Sequence, residues 1–97
     1  MTKTVIATVK AVAGQEEKLA SMIKDLAQLV RKDAGTVQFD VYRDSDDKGA
    51  FQFLEAYDNE AAFQAHITAE HVQKFNEALK EIAEGGASKV FFVEPFC

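Results

Sequence analysis

Residues 36–71 read TVQFDVYRDSDDKGAFQFLEAYDNEAAFQAHITAEH. Thr36 to Asp44 alternates apolar and polar side chains, the period of a half-buried strand. Ser45-Asp46-Asp47-Lys48-Gly49 is a turn cluster, and Ala50–Tyr57 is a second strand. A hairpin over that loop pairs Asp44 with Ala50. Arg43 then meets Phe51, Val41 meets Phe53, Phe39 meets Glu55, and Val37 meets Tyr57. One face of the hairpin carries Val37, Phe39, Val41, Phe51, Phe53, Glu55 and Tyr57. The other carries Gln38, Asp40, Tyr42, Gln52, Leu54 and Ala56. Beyond Tyr57, Asp58 or Asn59 caps a short helix that runs to about Ile67.

Working outward, Lys3 to Val12 alternates as a strand, with Val5, Ala7, Val9 and Ala11 on one face and Gly14 after it. A helix follows from about Gln15 to Lys32, with Leu19, Met22, Ile23, Leu26, Leu29 and Val30 along one side. Glu16 and Glu17 suit its positive end, Arg31 and Lys32 its negative end, and Gly35 is a stop. After the short helix, Thr68 is the expected cap of another, from about Ala69 to Ala83, with Val72, Phe75, Leu79 and Ile82 inward. Gly85-Gly86 breaks the chain. Ser88 to Glu94 is the last strand, apolar on both faces, so both faces require cover. The order β-α-β-β-α-β, its second helix broken near Thr68, is an α+β ferredoxin-like plan: a four-stranded antiparallel sheet with helices on one face. The aromatic-rich face belongs under the helices. The opposite face mixes Ile6, Tyr42, Leu54 and Ala56 with Thr, Gln and Asp, and a homodimer packed through these sheet faces would cover it.

Size and composition narrow the function. The chain has 97 residues, which points to one domain of marginal stability. Its net charge of −5 and lack of a basic cluster argue against nucleic acid and anionic membranes as partners. The single cysteine, Cys97, allows no internal disulfide and fits a reducing compartment. No stretch reads as a signal peptide or approaches the roughly 20 apolar residues of a membrane span, so a cytoplasmic location is expected. Motifs for metal proteases, phosphate loops and dinucleotides are missing. His66 and His71, five apart, do not share a helix face as a metal pair would. No cofactor and no metal are expected.

Glu55 is the leading candidate for chemistry. Its strand parity places a carboxylate on the helix-side face between Phe53 and Tyr57, opposite Phe39, where desolvation raises its pKa toward the range useful for acid/base work. A buried glutamate bonded to backbone donors is the bland reading of the same position. Arg43 shares the face but lies four residues along, on the order of 13 Å away, a poor direct partner. His66, on the helix after Glu55, is often a half-buried structural histidine in such a setting. Converging with a desolvated carboxylate it becomes an acid/base pair. Tyr57 can orient a substrate oxygen or pack the core with a bonded tip. His71, at a helix start, is the weaker histidine and expected to be exposed.

The run from Ala34 to His71 resembles the antibiotic biosynthesis monooxygenase (ABM) domain family. The resemblance rests on Gly35, Arg43-Asp44, Glu55, Ala65-His66 and His71 at matching spacing. It implies a dimeric α+β barrel of ferredoxin-like protomers. It also implies a cofactor-independent monooxygenase of quinols or polyketide anthrones, in which the electron-rich substrate itself reduces dioxygen. Glu55 and His66 would then serve as acid/base groups, Tyr57 as an orienting hydroxyl, and Phe39, Phe53, Phe63 and His71 as substrate-binding residues. Thr36 stands where the family has Cys, Tyr57 where it has Trp, and Glu70 where it has Pro. The Glu-Ala-Tyr ending is similar to the branch that isomerises a phosphorylated autoinducer-two signal, a small hydroxy-diketone. A non-catalytic dimeric binding module is the third alternative. Tyr57 and Asn76 fall where haem-degrading relatives carry Trp and a haem-ligand His, so haem degradation is not expected.

Overall fold

The computed structural model describes residues 2–97. Its elements are β1 (Lys3–Lys10), α1 (Glu16–Val30), β2 (Thr36–Arg43), β3 (Ala50–Tyr57), α2 (Glu60–Thr68), α3 (Glu70–Ile82) and β4 (Lys89–Val93), with a single 3₁₀ turn at Glu84–Gly86. The strands form one antiparallel sheet in the order β2-β3-β1-β4. Three helices and this sheet give the expected α+β ferredoxin-like fold. No helix among the described residues is long and apolar enough to cross a membrane.

The alternating strands decide which side is inside. Val5, Ala7, Val9 and Ala11 of the first strand region are buried, as are Phe39, Phe51 and Phe53 of the hairpin. All of these except Val5 meet Leu19, Ile23, Leu26 and Val30 of α1 and Val72, Phe75, Leu79 and Ile82 of α3 in one apolar cluster. The aromatic face therefore lies under the helices. Val5, Tyr57 and Phe63 form a smaller cluster beside the main core, beneath α2.

The hairpin register holds at Arg43↔Phe51, Val41↔Phe53 and Phe39↔Glu55. It fails at the end, where Val37 was expected opposite Tyr57. Thr36 pairs with Tyr57 and Gln38 with Ala56, leaving Val37 as the extra residue of a bulge. An extra residue in one strand breaks the alternation, and Val37 turns outward, 58% exposed. The neighbouring backbone explains the need. Gly35 has φ +88°, and a Cβ there would lie 2.7 Å from the Ala62 Cβ on α2. Its carbonyl accepts the Asp58 N–H at 2.9 Å. The chain enters β2 pressed against the start of α2, a position open only to glycine.

Asn59, one of the two residues expected to cap α2, accepts the Ala62 N–H at 2.8 Å. Thr68 does not cap α3. Its hydroxyl donates back to the Gln64 carbonyl at 2.8 Å and closes α2 instead, and extended Ala69 begins α3. All of β4 is exposed in the single chain, including Val90, Phe91, Phe92 and Val93. The cover that its two apolar faces require is not supplied by this chain.

Candidate functional site

Three residues from two elements converge under α2. Glu55 and Tyr57 are two apart on β3, so they share the helix-side face. Glu55 pairs with Val5 on one side and Phe39 on the other, which places it mid-sheet. On α2, Phe63 and His66 are the buried residues; at i and i+3 they face the sheet together. Tyr57 is completely buried, Glu55 and His66 nearly so.

The Tyr57 hydroxyl donates to Glu55 Oε1 at 2.5 Å. His66 Nε2 lies 3.6 Å from the same oxygen, longer than a good hydrogen bond and short enough for one to form with a small shift. The His66 ring packs on Tyr57, centroids 4.7 Å apart, with Phe39 and Phe63 as aromatic neighbours. His66 Nδ1 is buried and has no hydrogen-bond partner among the described residues. A buried imidazole nitrogen left unpaired is costly in a purely structural role and suits a group reserved for a ligand.

Burial sets the protonation of all three. It raises the Glu55 pKa, and the Tyr57 hydrogen bond opposes part of that rise. Burial and the nearby Glu55 charge push Tyr57 far above the ordinary phenol range, so its hydroxyl stays a donor. Burial lowers His66 to about 4, against the upward pull of the Asp33 charge. Near neutral pH the site therefore joins a neutral imidazole and a neutral phenol to a carboxyl group that burial makes harder to ionise than an ordinary glutamate.

Glu55 and His66 line a cavity of about 100 Å³. Its walls are aromatic and aliphatic: Phe39, Phe53, Phe63 and Phe75, with Val72 of α3 and Val90 of β4. Three of the four expected substrate-binding residues are therefore placed on it. The fourth, His71, is not. Its Nε2 pairs with Asp33 Oδ2 at 2.7 Å, half-buried rather than exposed, and it lines a separate groove between α1 and α3 with Met22 and Lys74. The α2–α3 break rotates it away from His66. Arg43 is likewise remote, paired with Glu17 at 2.7 Å. Two polar lining residues, Asn76 and Ser88, were not singled out from sequence as site residues. Asn76, four residues after Val72, carried a usable signal, a polar side chain at the edge of an apolar helix stripe. Ser88 carried none. No three His, Cys, Asp or Glu side chains cluster in a way that could hold a metal ion among the described residues.

A profile of the family described as antibiotic biosynthesis monooxygenase matches residues 3–78. The fold is shared with solved structures over nearly full length. A Pseudomonas aeruginosa protein is 26% identical, with TM-score 0.90 over 99% of this chain and 95% of that one. A protein named antibiotic biosynthesis monooxygenase is 20% identical, with TM-score 0.90 over 100% of both chains. A Mycobacterium tuberculosis protein is 18% identical, with TM-score 0.90 over 100% of this chain and 97% of that one.

Proposed function

The chain belongs to the antibiotic biosynthesis monooxygenase family, and from that premise we propose that it is a cofactor-independent monooxygenase of small quinol-like or polyketide aromatic substrates. The observation that carries this reading is the buried Glu55–Tyr57–His66 cluster on the wall of an aromatic-lined cavity. A volume of about 100 Å³ is about two thirds of the roughly 150 Å³ cavity that holds benzene, so binding of one aromatic ring requires the cavity to widen. Larger ring systems extend past Val90 toward the exposed face of β4.

Glu55 is the base. Its raised pKa makes it a stronger base than an ordinary carboxylate, whereas His66, lowered to about 4, is a weak one. Glu55 takes a proton from the substrate, and Tyr57 steadies the resulting charge distribution by its hydrogen bond. The electron-rich carbanion or phenolate reduces dioxygen and forms a C–O bond. Glu55 returns its proton to the peroxide to give the hydroperoxide, then removes the second proton from the same carbon as the O–O bond breaks and hydroxide leaves. That hydroxide collects the proton from Glu55 and departs as water. A ring CH₂ and dioxygen thus become a ring carbonyl and water. His66, through the unpaired Nδ1, holds a substrate oxygen. The apolar walls keep bulk water from the reduced intermediate.

The same cavity disfavours the isomerase alternative. A phosphorylated hydroxy-diketone calls for cationic or helix-terminal donors, and no Lys or Arg lines the cavity. Arg43 is held by Glu17 and by the Lys48 carbonyl, and Lys74 by Glu70. The working unit is a homodimer packed through the outer sheet faces, covering Tyr42 and Phe91, which are more than half exposed.

The test is oxygen uptake with 1,4-naphthohydroquinone and anthrone in buffer free of added metal and flavin. Glu55→Gln should lower kcat by about 10²–10⁴-fold, the usual contribution of a general base, with unchanged circular dichroism. No uptake across a panel of quinols and anthrones refutes the oxygenase reading. Unchanged turnover in Glu55→Gln refutes the assignment of the base, whereas absence of turnover with ligand affinity unchanged in Glu55→Gln favours a binding module.

A further inference from the structure

A second concavity lies on the far side of α1 and shares no lining residue with the Glu55 cavity. It occupies about 380 Å³ between α1 and the β2–β3 hairpin, within the size range of small-molecule sites. Its floor is apolar, made by Ile23, Ala27 and Val41 with the edge of Phe51. Its rim carries Lys24, Arg31 and Arg43 and no carboxylate.

The cations are arranged rather than scattered. Lys24 of α1 and Arg31, the residue that caps its C-terminus in helical conformation, are seven apart, so they point from one helix face, roughly 10 Å apart along the axis. Neither has an acidic residue one turn away on that face; the i±4 neighbours are Ala20, Gln28, Ala27 and Gly35. Neither forms an ion pair among the described residues, whereas Lys3, Lys10, Arg43, Lys74 and Lys80 all do. Arg31 is fixed by its Nε, which donates to the Phe39 carbonyl of β2 at 3.0 Å. That bond leaves its terminal nitrogens for a bidentate anion. It also occupies an acceptor of edge strand β2, which works against strand addition there. Arg43 closes the other end, bound to Glu17 and lying over the Phe51 ring at 5.1 Å.

We propose that this groove binds a small amphipathic organic anion, with an aromatic or short aliphatic body on the Ile23–Ala27–Val41 floor and a carboxylate on Lys24 and Arg31. Small size follows from the volume, negative charge from two unpaired cations, and an apolar body from the floor between them. In a chain of net charge −5, a simple inorganic anion gains little from the global field, so the apolar contact is needed for affinity.

The test is a titration of the full chain with sodium 2-naphthoate, followed by amide chemical shifts. Saturable shifts centred on residues 23–31, 41 and 51 are expected, with Kd about 1 mM or tighter. The double variant Lys24→Gln/Arg31→Gln and the neutral probe 2-naphthamide should each weaken binding by about tenfold or more. Thermal denaturation verifies that the variant is folded. Lys24→Gln alone, which leaves the Arg31–Phe39 bond intact, should weaken binding by a smaller factor. The proposal is overturned if no saturable shift occurs, if shifts centre on the Glu55 cavity, if the neutral amide binds equally well, or if inorganic phosphate matches naphthoate.

Discussion

Replacing Tyr57 by Phe removes one hydroxyl from a completely buried position and leaves the ring packing on Phe63 and His66 in place. The lost contact is a single 2.5 Å hydrogen bond to Glu55. Its worth depends on the charge of the acceptor. Against a protonated Glu55 a neutral hydrogen bond contributes about 0.5–1.5 kcal/mol, and against the carboxylate about 1.5–3 kcal/mol. The sign with pH follows. Glu55 has a folded pKa above its unfolded value because of burial, so the folded chain loses stability as pH rises through that folded value. The Tyr57 bond limits this loss by favouring the charged form. Without it the Glu55 pKa rises further and the loss grows. Tyr57→Phe should therefore be mildly destabilised where Glu55 is protonated and more strongly where it is ionised. Urea denaturation of both proteins at an acidic and at an alkaline pH measures this, since groups common to both proteins cancel in the difference. The acidic limb of the oxygen-uptake profile should move to higher pH in the variant. An equal stability loss at both pH values, with an unmoved acidic limb, would show that the hydroxyl is not coupled to Glu55 ionisation.

His66 carries the opposite dependence. Its folded pKa of about 4 lies below the ordinary 6.5, so the stability associated with its neutral form is complete above 6.5. It is lost as pH falls toward 4, by about 3 kcal/mol in all. His66→Gln should flatten that segment in urea midpoints taken across the window, and an unchanged slope would assign the acid sensitivity elsewhere. Gly35→Ala should cost about 2 kcal/mol or more, because positive φ costs roughly 1–2 kcal/mol and its Cβ meets Ala62 at 2.7 Å. Gly14→Ala, with φ +90° and no atom within 4 Å, should cost only the backbone part; equal losses in chemical denaturation would contradict the close approach of α2. Phe91→Asp, on the outer sheet face opposite Ile6, should halve the mass seen by sedimentation while the fold is kept. A single-chain mass for the unmodified protein would remove the dimer from the functional reading.

The sequence by itself determined the element order, the fold class and the face of the sheet that is buried. These follow from local periodicity: alternation in residues 3–12 and 36–57, helical spacing in residues 19–30 and 72–82, and Asn59 as a cap. Parity alone placed Glu55 and Tyr57 side by side on the inner face, because a strand gives its residues no other choice. The tertiary structure decided what parity cannot express. A bulge at Val37, forced where Gly35 passes Ala62, ended the hairpin register one pair early. The α2–α3 break at Ala69 sent His71 to Asp33 and left His66 alone with Glu55, although the two histidines are close in sequence. Asn76 and Ser88 joined the cavity through packing of α3 and β4, contacts between residues far apart in the chain. Burial, which sets the protonation of Glu55, Tyr57 and His66, is likewise a property of the assembled layers: a carboxylate, a phenol and an imidazole have ordinary pKa values in the chain and acquire shifted ones only when the sheet and α2 remove water from them.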